Sequence, residues 1–149
     1  MDLYTLNSGI VSLSAATAKT VLQLVSPSTT RARIVSFSVS FNSVTSSDTP
    51  AVVDLLRQTT AGTGGTAATM APLDPDAPAA LCSGLYDIAS AEPTGGNVLW
   101  SGYVTPVGGL FVYNFAEGEE PVLDVSGRVG IRINSPSAVS AIATLTYSE

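Results

Sequence analysis

Hydrophobic and polar residues alternate with a period of two along most of the chain, the signature of strands with one buried face. The clearest stretch is Arg33 to Phe41, where Val35, Phe37, Val39 and Phe41 alternate with Ser36, Ser38 and Ser40. One face is large and apolar; the other is a serine ladder. Arg128 to Asn134 repeats the pattern, with Val129, Ile131 and Ile133 inward and Arg128 and Arg132 outward. Near the end, Val139, Ala141, Ala143, Leu145 and Tyr147 share one side, while Ser140, Thr144 and Thr146 take the other.

Shorter segments fit the same scheme. Lys19–Val25, Ala51–Gln58, Leu81–Ala89, Val98–Thr105, Leu110–Phe115 and Pro121–Val125 each read as a strand. Turn-forming clusters separate them: Ser26-Pro27-Ser28, Ser47-Asp48-Thr49-Pro50, Pro93 to Asn97, Gly108-Gly109 and Asn134-Ser135-Pro136. No segment holds a convincing helical period. About eight strands joined by such turns predict an all-β sandwich or barrel.

Two segments fall outside the rhythm. Residues 1–16 space Tyr4, Leu6, Ile10 and Leu13 among Asn, Ser and Gly. They read as an N-terminal arm or edge strand, able to complete the open sheet of a neighbouring subunit. Residues 17–149 form the single sandwich domain. Ala61–Ala80, first Gly/Ala/Thr-rich and then marked by Pro72, Pro75 and Pro78, reads as a long surface loop. Leu73, Asp74 and Asp76 on that loop, with Tyr4, Leu6, Ile10 and Leu13, are the candidate interface residues.

Composition narrows what such a domain can do. The 149-residue length suits one domain with a real core. Charged residues make up only 12%, about half the usual share. A weakly charged surface suits a protein packed against copies of itself or a larger assembly, as it does a Ser/Thr-rich extracellular domain. The net charge of −6, with Lys19 the one lysine, excludes the clustered cations that nucleic acid or anionic membrane would need. The N-terminus lacks the pattern of a secretory signal, and no apolar run approaches the roughly 20 residues of a membrane helix. Synthesis in a cytosol is the expectation.

Chemistry is constrained as strongly. There is no histidine, which removes the commonest activating base for a Ser or Cys nucleophile and the commonest metal ligand. The single cysteine, Cys82, lies in an apolar context and reads as a small core residue. Carboxylates are what remain. Asp74 and Asp76 flank Pro75, and Glu117, Glu119 and Glu120 surround Gly118. A paired-carboxylate glycosidase needs such groups across a cleft, and Ca²⁺ needs a longer pattern of oxygen ligands. Solvated loop charge is the simpler reading of both clusters. Gly62 to Thr66 has neither the lysine nor the following helix of a phosphate loop, and reads as flexible. Trp100 and Tyr103, three apart on a strand, should face opposite sides. These residues predict neither a catalytic site nor a cofactor.

Two runs carry a resemblance. The first extends from Leu22 to Phe41, through Ser26-Pro27-Ser28-Thr29-Thr30 and the Arg31 and Arg33 that open the long strand. The second is Leu73-Asp74-Pro75-Asp76-Ala77-Pro78-Ala79-Ala80. Together they resemble the capsid decoration, or cement, proteins of tailed bacteriophages, with the likeness spanning Leu22 to Thr105. The resemblance implies a jelly-roll-like sandwich, a homotrimer, and no catalytic residues. It implies binding to the major capsid protein on the outer surface of the expanded virion head, after synthesis in the host cytoplasm. In that setting the arm would reach a neighbouring subunit and the long loop would lie at a capsid or trimer contact. A carbohydrate- or receptor-binding module of a phage fibre or tail tip is the alternative, and a carboxylate glycosidase a distant third.

Overall fold

The structure, a computed structural model, describes residues 1–149. It contains strands and turns, and no helix. In chain order the strands are β1 (Leu3–Asn7), β2 (Val11–Ser12), β3 (Thr17–Val25), β4 (Ala32–Phe41), β5 (Ala51–Gln58), β6 (Thr66–Ala67) and β7 (Met70–Pro72). They continue with β8 (Ser83–Tyr86), β9 (Gly95–Val104), β10 (Leu110–Asn114), β11 (Val122–Leu123), β12 (Arg128–Ser135) and β13 (Ser140–Ser148). All strand pairings are antiparallel and form two sheets. The first runs β10-β4-β13-β1-β7, with β11 beside β4 and β2 beside β13; the second runs β6-β8-β3-β12-β5-β9.

The sheets pack face to face as a β-sandwich. Phe37, Val39, Phe41, Ala141, Ala143, Leu145 and Tyr147 from the first meet Leu22, Leu24, Val53, Leu55, Val129, Ile131 and Ile133 from the second. The alternation in β12 and β13 therefore points as the sequence predicts. In β4 the pattern is shifted at its start. Thr146 pairs with Ser36 but Tyr147 pairs with Ile34, so Val35 is the extra residue of a bulge. Ile34 takes the buried place and Val35 is left half-exposed.

The N-terminal segment differs from expectation. β1 is neither an arm nor an edge: it lies between β13, with Leu3 to Asn7 opposite Ser148 to Thr144, and β7, with Tyr4 opposite Pro72. Tyr4 and Leu6 are fully buried, and Tyr4 stacks on Tyr147 with centroids 5.6 Å apart. The burial of two large side chains outweighs the Asn7-Ser8-Gly9 run that follows them. Gly84 on β8 leaves room for this packing, since a Cβ there would stand 2.8 Å from Leu6 and 2.9 Å from Met70. Residues 61–80 are also more ordered than a free loop. They contribute β6 and β7, and Leu73 N donates to Leu3 O at 2.9 Å.

Sheet two has a covered back. Thr20, Gln23, Leu56 and Gln58 point away from the core yet are buried beneath residues 59–65 and 87–95. Gly62 and Gly64 adopt φ of +69° and +78°, and Cβ atoms there would collide with Ala91 O and the Ser90 side chain. Thr63 bonds Ala91 and Ser90 through its backbone, so the glycine run is a pinned cover, not a flexible loop.

Candidate interaction surfaces

The outer face of the first sheet is the broadest candidate. Strand register sets its rows: Leu110, Ser40 and Ile142; then Val112, Ser38, Thr144 and Asn7; then Asn114, Ser36, Thr146 and Thr5. These three rows contain no ionisable group. Asn7 Nδ2 donates to Thr144 Oγ1 at 2.7 Å, so part of the ladder is cross-linked in place. Ile10 lies beside this face, 76% exposed, and lines a depression of about 140 Å³ with Ser40, Phe41, Asn42, Ser140 and Ile142. Charge returns at the opposite end, where Arg33, Glu117 and Glu120 share a wide hollow with Met1 and Leu3.

The seven residues singled out in the sequence do not converge. Tyr4, Leu6 and Leu13 are core residues, because β1 is an interior strand and Leu13 N is held by Val139 O at 2.8 Å. Ile10 sits beyond one end of β1, while Leu73 lies by Leu3 at the other. Leu73, Asp74 and Asp76 are exposed. Asp74 serves its own turn: Oδ1 accepts Asp76 N at 3.0 Å and its carbonyl accepts Ala77 N at 3.0 Å.

Several other carboxylates are similarly engaged. Glu92 accepts Thr20 N with both oxygens, at 3.0 and 2.9 Å. Glu149 accepts Leu81 N at 2.6 Å and Cys82 N at 2.9 Å. Asp54 pairs with Arg132 at 2.9 Å and accepts Ser101 Oγ at 2.6 Å. Asp87 pairs with Lys19. Glu120 accepts Gly118 N at 2.7 Å. No three Cys, Asp or Glu side chains converge at a spacing that could hold a metal ion. Burial, followed by the neighbouring Glu149, pushes the Cys82 thiol well above its usual range. Burial is also the main cause of the raised Tyr147 phenol, whose hydroxyl lies by Cys82 without a hydrogen bond of normal geometry. A neutral thiol of this kind is a poor nucleophile.

One further surface has no counterpart among the sequence-derived candidates. At the side of the sandwich where β9 and β10 end the two sheets, five rings cluster: Phe37, Trp100, Phe111, Tyr113 and Phe115. Trp100 stacks on Phe111 at 4.7 Å, and Tyr113 meets Phe115 edge-on at 5.0 Å. Phe37 is buried and the other four are half-buried. Tyr103 points the opposite way from Trp100 and is 79% exposed. A signal for this surface was present in the chain: Pro93 to Ala116 contains no Asp, Glu, Lys or Arg.

Geometry and charge together define a β-sandwich with broad uncharged surfaces and most of its acidic groups tied into turns and ion pairs. Compared with protein-family models, curated proteins and solved structures, the chain finds no significant match.

Proposed function

We propose that this protein is a structural binding module that coats a larger protein assembly. Following its sequence resemblance, we propose a decoration protein on the outer surface of an expanded phage head, with the major capsid protein as partner. The observation that carries the proposal is the uncharged hydroxyl and aliphatic face of the first sheet, in a molecule of net charge −6. Burying such a face desolvates no ion, and Ser and Thr lose little side-chain freedom on contact. Modest contacts repeated around a shell then add up through multivalency. The consecutive strands β3, β4 and β5 also alternate between sheets, in keeping with the jelly-roll-like arrangement that the resemblance implies.

Co-sedimentation with expanded heads tests this reading. Wild-type protein should pellet with the shells. The double variant Ser38→Glu, Thr144→Glu should stay in the supernatant while keeping the far-UV CD spectrum and melting transition of the wild type. If wild type fails to pellet, the decoration reading is wrong; if the double variant still pellets, the face is misassigned.

Exposed Tyr103 favours a second reading, a glycan-binding module of a fibre or tail tip, because a free aromatic ring can stack on a sugar. Glycan-array binding that disappears in Tyr103→Ala would support that reading over the first.

A further inference from the structure

The two sheets have four edges, and they are not treated alike. β7 is three residues long and ends at Pro72; β6 is two residues long. β9 is long, but register shifts against Leu55, Leu56 and Gln58 bend it. Short strands, proline and bulges are the usual devices that stop an edge from pairing with another chain. β10 has none of them. It pairs with β4 through consecutive residues, Leu110 to Asn114, without a shift.

The direction of its free backbone groups follows from the ladder. Gly109 O accepts Phe41 N, and Phe115 N donates to Val35 O, both at 3.0 Å. Odd-numbered residues therefore bond to β4, and alternation aims the N–H and C=O of Leu110, Val112 and Asn114 at the open edge. Leu110 is 70% exposed and Val112 54%. The nearest ionised residues along the chain are Glu92 and Glu117.

We propose that this edge pairs antiparallel with β10 of a second copy of the chain, about a two-fold axis through Val112, making the associating unit a dimer in place of the homotrimer that the resemblance implies. In that register Leu110 lies opposite Asn114 and Phe111 opposite Tyr113. It is the register that brings all three outward-bonding residues into hydrogen-bonded positions. It also keeps faces matched: Leu110, Val112 and Asn114 stay on the outer side, and Phe111 and Tyr113 stay on the inner side with Trp100. A second copy fits better than a foreign strand because the contact demands self-complementarity, which this sequence meets. Two molecules of charge −6 repel one another over most approaches, and this edge offers one without like charges. Each edge is capped by its mate, so growth stops at two.

The pairing does not depend on what the outer face binds, and it is measured without shells. Sedimentation equilibrium of the isolated protein should give twice the mass of one chain. Val112→Pro removes the edge N–H while leaving the β4 ladder intact, and should return a monomer. Val112→Lys, which keeps the backbone donor but places a cation beside its two-fold mate, should do the same with an unchanged CD spectrum. A wild-type monomer at high micromolar concentration overturns the proposal. So does a trimer as the associating unit, or a dimer that survives both substitutions.

Discussion

Among single residues, Gln58 shows how closely the back of the second sheet is fitted. Its Oε1 accepts Gln23 Nε2 at 2.6 Å and its Nε2 donates to Thr20 Oγ1 at 2.9 Å, all three side chains being buried. The amide lies flat on Gly130, where a Cβ would stand 2.6 Å from Gln58 Cδ. Gly130→Ala must therefore displace Gln58 and leave buried polar atoms unpaired, at a cost of about 2–3 kcal/mol in urea unfolding. Gln58→Ala removes the obstacle, so the double variant should cost clearly less than the sum of the singles. Strict additivity would show that the two residues do not interact as described. Cys82 and Tyr147 give a second prediction. Both stay neutral in the folded state, whereas the thiol ionises near pH 9.0 once the chain unfolds. Above that pH the unfolded state has lost protons that the native state keeps, so stability is full below about pH 9 and falls as pH rises further. Urea midpoints measured from pH 7 to 10.5 should show that fall, and Cys82→Ala should delay its onset. A flat profile would contradict the burial of the thiol.

At the scale of strands, legibility followed the purity of the alternation. β12 and β13 each bury one face against the opposite sheet, so Val129, Ile131, Ile133 and the Ala141 to Tyr147 series announce themselves. β3 and β5 are harder because loops cover their backs: Gln23, Leu56 and Gln58 are buried where the period assigns them to solvent. β7 is too short to carry a period, and it is set by a partner distant in sequence, Tyr4–Leu6. β1 was misread for a related reason. Its two anchors, Tyr4 and Leu6, signal burial only when the register with β13 is known. The consequence is testable. Deleting Met1–Ala16 strips an interior strand, uncovers β13 and empties the space filled by two large side chains. The truncated chain should lose its cooperative thermal transition and near-UV CD signal. Retention of both would mean that β1 is dispensable to the sandwich after all.

For the whole molecule, the decisive quantity is where charge is absent. The candidate surfaces were only partly legible for this reason: sequence gave the serine ladder of β4, but the joining of Ser36, Ser38 and Ser40 to Thr144, Thr146, Val112 and Leu110 depends on strand order. Once joined, these residues form a face that is neutral although the molecule carries −6. Association through neutral faces has a distinct ionic signature. Salt at about 0.1 M shortens the range of charge interactions to about 10 Å. It therefore screens the general repulsion between acidic molecules while leaving strand pairing and apolar contact in place. Raising NaCl from about 0.05 to 0.5 M should leave self-association and shell binding unchanged or modestly stronger. Contacts built on Arg or Asp pairs would respond in the opposite sense, weakening steeply as salt rises. A large loss of affinity over that range, measured by sedimentation for the isolated protein and by co-sedimentation for shells, would move the contact surface to the charged end around Arg33, Glu117 and Glu120.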